Sequence, residues 1–182
     1  MLKKALIISF IILSAFAKSY GQERYLLLGE GKDGEVRLFW TPTEKWPKNL
    51  VGFNIKRKSK GEWVRVNSDL IVPGTHEEKD LSNLNLGNTK TERLVQKRNE
   101  LIASGILKSI NTQEFIEIMG TKNNIESVSI MLNSDFDIAL IAGFGIVDSN
   151  IPKINGSYTY GLFPVFSTGE AAEPVEQFIW RY

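Results

Sequence analysis

Two stretches of alternating sequence, separated by a long block of helical period, limit what this chain can fold into more than any other feature. In Glu35-Val36-Arg37-Leu38-Phe39-Trp40, the residues Val36, Leu38 and Trp40 alternate with Glu35, Arg37 and Phe39. That period of two is what a strand with one buried face needs, and it makes Trp40 a core residue. Thr41-Pro42 ends the strand, because proline cannot donate to a ladder. A second strand reads Val51 to Arg57 with Val51, Phe53 and Ile55 on one face, and Gly61-Glu62 turns it into a third, Trp63 to Val66. Tyr25 to Leu28 reads as a first or edge strand, with Gly29, Gly31 and Gly34 supplying the turn that follows. Beyond the helical block the alternation resumes. Phe144 to Asp148 is a short strand, and Ser157 to Leu162 points Tyr158, Tyr160 and Leu162 inward. Ser167 to Glu170 makes a turn, and Pro174 to Trp180 is a final strand, inside which the chain is expected to end.

The block over about residues 79–142 predicts three or four short helices. Thr89-Lys90-Thr91-Glu92 fits a capping box, with Leu94, Val95, Leu101 and Ile102 at helical spacing behind it. Asn111 to Glu114 opens a second helix, with Phe115, Ile116 and Met119 on its apolar side and Gly120 as its stop. Ile125, Val128 and Leu132 form the stripe of a third, and Ser134 to Asp137 opens a fourth carrying Ala139, Leu140 and Ala142. Helices this short are marginal alone in water, so they are expected to dock on the β-structure or on each other. With no repeat and no flexible linker, the chain reads as one cooperative unit.

The amino terminus carries a different signal. Lys3 and Lys4 precede an apolar run from Ala5 to Phe16, too short to span a bilayer and the right length for the core of a secretory signal peptide. Cleavage is expected after Ala17 or, preferably, after Gly21, so residues 1–21 are read as signal and 22–182 as the mature domain. The protein is thus expected to be periplasmic or secreted, with no membrane span once the signal is removed. The chain has no cysteine, which excludes a lipoprotein anchor, a disulfide framework and a thiolate nucleophile. One histidine and a net charge of +1 argue against a multi-histidine metal site and against nucleic acid as a partner.

The β segments together resemble a fibronectin type III domain. The resemblance rests on Val36-x-Leu38-x-Trp40-x-Pro42, on Gly52-Phe53-Asn54-Ile55-x-Arg57, on Tyr158-x-Tyr160-x-Leu162, and on Ser167-x-Gly169-Glu170-Ala171-x-x-Pro174. It covers about residues 23–75 and 143–182. It implies an immunoglobulin-like antiparallel β-sandwich, interrupted between its C′ and E strands by the helical insertion. A crossover between sheets already leaves the ladder there, so an excursion breaks no pairing. Doubling a loop costs only about 0.6 kcal/mol.

Candidate chemistry is sparse. Gly143-Phe144-Gly145 with Asp148 lacks the third glycine and the strand-to-helix context of a dinucleotide loop, so a turn is the better reading. His76-Glu77-Glu78 lacks the second histidine of a zinc helix and reads as a solvated loop. Asp135 and Asp137 sit two apart in a first helical turn, where acidic residues match the dipole. Asn155-Gly156-Ser157 is a glycosylation sequon, relevant only to a eukaryotic secretory route. Lys56, Lys58 and Lys60 cluster at a hairpin, either guarding an edge strand or offering a cationic patch. Trp46, Trp63 and Trp180 offer flat rings for sugar stacking or a protein interface, unless the insertion covers them.

No catalytic residue, metal or cofactor is predicted. The favoured expectation is an extracytoplasmic interaction module whose partner is a protein or cell-surface glycan. The next is a carbohydrate-binding accessory module built on the tryptophans. The last is a hydrolase using Glu77, Glu78 or Asp80, which requires a concave pocket.

Overall fold

The computed structural model describes residues 24–32, 34–84, 86–108, 111–118, 122–151 and 156–181. The signal read over residues 1–21, the helix stop at Gly120 and the sequon asparagine lie outside them. Among the described residues there are eight strands in two antiparallel sheets and five helices.

The smaller sheet has the order β1-β2-β5, with β1 at Tyr25–Lys32, β2 at Glu35–Pro42 and β5 at Gly145–Asp148. The larger sheet contains β3 (Leu50–Ser59), β4 (Glu62–Arg65), β6 (Gly156–Phe166), β7 (Gly169–Glu170) and β8 (Val175–Arg181). Its order is β4-β3-β6-β7, and β8 also pairs with β6. The two alternating stretches therefore do face each other. Leu27, Val36, Leu38 and Trp40 of the first sheet share one apolar core with Phe53, Ile55, Tyr160 and Leu162 of the second. Trp40 and Tyr160 both have no exposed surface.

One expected core residue lies outside it. Val51 is 41% exposed, because the β3–β6 register slips between Leu50 and Gly52 and the extra residue bulges out. Gly52 is needed at that bulge, since a Cβ there would lie 2.6 Å from the Ile71 carbonyl oxygen.

After β4 the chain keeps following the edge of β3. The Val66 amide donates to the Ile55 carbonyl, and Ile71 exchanges hydrogen bonds with Phe53. Between these points Asn67, which is buried, substitutes for a strand. Its Oδ1 accepts from the Ile55 amide at 2.7 Å, while its Nδ2 donates to Asn54 Oδ1 and to the Asp69 carbonyl. A side-chain amide carries both a donor and an acceptor, so one asparagine can continue an interrupted ladder.

The insertion forms α1 (Glu78–Ser82), α2 (Asn88–Ala103), α3 (Thr112–Ile118), α4 (Lys122–Ser134) and α5 (Phe136–Ile141). This is one more helix than expected, because the segment read as a loop after His76 winds into α1. The Glu77 amide donates to Asp80 Oδ2 at 3.0 Å, so the acidic run caps a helix. The capping box expected at Thr89–Glu92 is not the start of α2. That helix begins at Asn88 behind Gly87, whose φ of 81° turns the chain into it, and Thr89 lies already inside the first turn. Its far end closes on Gly105, with Ile106 donating to Leu101 and Gly105 to Ile102. The expected starts of α3 and α5 do form. Asn111 and Glu114 exchange side-chain-to-amide bonds at 2.9 and 3.0 Å, and Asp135 accepts from the Asp137 amide.

These helices dock in both of the expected ways. Leu81, Leu94, Leu107, Leu140 and Ile141 make a small core of their own. The rest cover the outward face of β2: Lys90 bonds Glu35, the Phe136 ring meets Arg37 and Phe39, and Thr41 donates to Ser129. The polar positions of the first alternating strand are thus themselves half-covered. Both ends of the insertion are tied together, since Gly74 donates to the Ala142 carbonyl and His76 to the Ile141 carbonyl.

Candidate functional site

A cleft of about 580 Å³ opens where the chain enters and leaves the insertion. Its walls are residues 66–77, one side of α1, Asn111, and residues 146–150. The fold explains its position. β5 is the last strand of the smaller sheet, and the segment after β4 is the last of the larger one. At the opposite margin β1 runs beside β8. The cleft therefore occupies the open side between two sheet edges, roofed by the first residues of the insertion. Its size falls within the roughly 300–1,000 Å³ range of ligand clefts. The lining mixes Leu70, Val72 and Ile146 with asparagine, serine and carboxylate side chains, and no phenylalanine, tyrosine or tryptophan ring lines it among the described residues.

At the floor lies a buried polar cluster that joins the sheets. Asp148 is 3% exposed. It accepts from the Tyr160 hydroxyl at 2.9 Å, from the Arg57 guanidinium, and from the Asn150 amide at 3.1 Å. Arg57 also donates to the Asn150 carbonyl and lies over the Tyr158 ring. Burial, reinforced by the adjacent Asp148 carboxylate, holds the Tyr160 hydroxyl above the ordinary tyrosine range. Arg57 follows Phe53 and Ile55 on the inward face of β3. It belongs to this cluster and not to the solvated basic hairpin. The sequence signal was available in a lone carboxylate ending an apolar strand, Gly145-Ile146-Val147-Asp148, although its partners are 12 and 91 residues away.

His76 roofs the same cleft. Its Nε2 donates to the Val72 carbonyl at 3.0 Å, and its buried Nδ1 has no hydrogen-bond partner among the described residues. The ring packs against Gly143, where a Cβ would lie 2.9 Å from Nε2 and 2.3 Å from the Val72 oxygen. Burial holds the imidazole below the usual histidine value of 6.5, against the opposing pull of the Val72 bond and Asp80. The unfolded chain therefore takes up a proton near pH 6.5 that the folded chain resists, and stability falls as pH drops through that value. We expect thermal stability to decline between about pH 7 and 5.5, where no other side chain of this sequence ordinarily titrates. Melting curves of His76→Gln should be flat over the same range; an equal decline in that variant would refute the assignment.

The residues expected to bind are scattered. Trp46 is 5% exposed, packed among Tyr25, Phe53, Phe144 and Phe115 of α3. The insertion has covered it, and it offers no platform. The Trp180 backbone pairs with Ser157 in β8, but its side chain is outside the described residues. Trp63 is half-buried, with Lys58 Nζ 5.0 Å from its ring and Phe163 edge-on at 5.5 Å. Lys56 pairs with Glu170 over the Phe163 ring. Lys60 is exposed at a φ of 51° in the β3–β4 turn. Lys56, Lys58 and Trp63 thus come together on the outer face of the larger sheet, but as mutually stacked cations and rings with their charge partly compensated.

Of the carboxylates considered for hydrolysis, Glu77 and Asp80 line the cleft. Glu77 bridges Lys79 at 3.2 Å, Asp80 caps α1, and Glu78 lies in its first turn. Asp135 and Asp137 bind Lys97 and Arg93 of α2, fastening α5 to it. Among the described residues no three histidine or acidic side chains are grouped to hold a metal ion, and no helix is long and apolar enough to cross a membrane. Compared with family models, with curated proteins and with solved structures, the chain matches none.

Proposed function

We propose that this protein is an exported, fibronectin-type-III-like β-sandwich that acts as a non-catalytic interaction module, with the cleft beside the insertion as its binding face. The strand order supports the sandwich reading: β1-β2-β5 against β4-β3-β6-β8 corresponds to the A-B-E and C′-C-F-G sheets that the sequence resemblance implies. The observation that carries the function is the cleft itself. The helices cover the outward face of β2 and bury Trp46, and a concave surface is left open between the two sheet edges. Export rests on the Lys3-Lys4 and Ala5–Phe16 pattern.

A protein partner fits this face better than a glycan. Sugar recognition draws on exposed aromatic faces, and the cleft has no phenylalanine, tyrosine or tryptophan ring among its described lining. The test is capture from the native cell envelope by the immobilised protein, alongside a variant with Asn83→Lys and Asn111→Lys in the cleft wall. A saturable partner held by the parent and lost by the variant is the expected result. Equal capture by both, or a glycan array that responds to the protein and is silenced by Trp63→Ala, would overturn it.

A further inference from the structure

We infer that the cleft receives an extended, basic segment of a partner polypeptide, which adds as a further strand to β5. This deepens the module reading above and rests on it.

The backbone supplies the first argument. Trp40 donates to the Phe144 carbonyl at 2.9 Å across a β2–β5 ladder in which Leu38 opposes Ile146 and Val36 opposes Asp148. In an antiparallel ladder, hydrogen-bonded pairs alternate with non-bonded ones. Residues 144, 146 and 148 therefore bond inward to β2, while Gly145 and Val147 turn their amides and carbonyls outward. Val147 and Ser149 both line the cleft. Two outward donor–acceptor pairs two residues apart, here those of Gly145 and Val147, are the template that a strand-forming peptide reads. No backbone hydrogen bond satisfies this edge among the described residues. An exposed edge is a liability that folds ordinarily blunt with proline or inward charge; here it is left open inside a cleft whose wall includes residues of α1.

Charge selects the occupant. The cleft wall carries the carboxylates of Asp69, Glu77 and Asp80 against the one ammonium of Lys79, while Asp148 is already neutralised by Arg57. Three negative charges against one positive leave a net −2 facing the edge. Lysine or arginine at alternate positions of an added strand would face this wall, and the apolar positions between them would face Ile146 and Val72. An acidic or polyproline segment fails on one count or the other.

The test uses isotopically labelled protein and a seven-residue peptide alternating lysine and valine. Its companions are a glutamate-for-lysine counterpart and a version N-methylated at alternate backbone nitrogens. Saturable amide shifts at the cleft-lining Val147 and Ser149, with slowed hydrogen exchange at Val147, are expected. The glutamate peptide should bind about tenfold or more weakly, and N-methylation on the β5-facing edge should abolish binding. Val147→Pro, which removes one outward amide, should do the same. The N-methylated peptide keeps the test independent of whether that variant folds. No binding at millimolar peptide, equal binding of the N-methylated form, or shifts centred on Trp63 and Lys58 would each overturn the inference. Should these occur while the envelope partner is still captured and still lost with the cleft-wall lysines, the module reading stands and the added-strand mode falls.

Discussion

Asp148→Ala is expected to cost about 3–5 kcal/mol of folding stability, which is the usual loss when one member of a buried ion pair is removed. The cost arises from what is stranded more than from what is broken. Arg57 would keep a charge with a side chain only 15% exposed and nothing negative within reach in the cluster. The Tyr160 hydroxyl would lose its acceptor in a residue with no exposed surface, and the Asn150 amide its own. Tyr160→Phe should cost far less, about 1 kcal/mol, because it removes a donor and leaves no orphan charge. A double-mutant cycle between the two should show strong coupling, since once Asp148 is gone the hydroxyl has nothing left to lose. Urea titrations of the four proteins decide the matter. An Asp148→Ala loss below about 1 kcal/mol would mean that the cluster is solvated and does not join the sheets.

The parts of this architecture that were legible in the sequence are those written in local periodicity. Val36, Leu38 and Trp40, and again Tyr160 and Leu162, alternate because one face of each strand is buried, and the structure buries them together. Asn111–Glu114 and Asp135 announce helix starts through side chains that reach their own backbone, a contact spanning three residues or fewer. What escaped depends on contacts distant in sequence. Val51 carries the same alternation as Phe53, and only the slipped register against β6 expels it. Thr89 and Glu92 have the right spacing for a cap, but Gly87 had already begun the helix. Nothing local distinguishes Asn67 as the residue that continues the β3 ladder.

The candidate site follows the same division. The tryptophans stand out by chemistry, yet exposure is a property of what packs over a ring and not of the ring. Phe115 covers Trp46 from 69 positions further along, and Lys58 covers Trp63 from the paired strand. The cleft is made of the converse: ordinary asparagines, serines and backbone groups that gain meaning only because β5 ends one sheet where the chain leaves the other. Glu77 and Asp80 stand out by their acidity, and their position on the cleft wall is a consequence of α1, a helix too short to leave a periodic trace.

Phe115→Ala bears on whether the insertion is an ornament or part of the core. Phe115 is 4% exposed, and its ring lies 5.8 Å from Trp46 and 5.4 Å from Phe144. Truncating a buried phenylalanine ordinarily costs about 3–5 kcal/mol, as transfer and cavity contributions add. The α3 helix has seven residues and cannot persist alone in water, so the loss of its anchor should free it and uncover Trp46. The expected result is an unfolding free energy lowered by about that amount, with a red-shifted tryptophan emission in the folded state. In the parent protein, tryptophan fluorescence and helical circular dichroism should give coincident transitions, because one apolar interior is shared by α3, α4, α5 and both sheets. If helical signal were lost well before the fluorescence change, the insertion would be a separately folding cap. Phe115→Ala would then lower only the earlier transition, and the cleft would be a hinge between two units instead of a wall fixed on both sides.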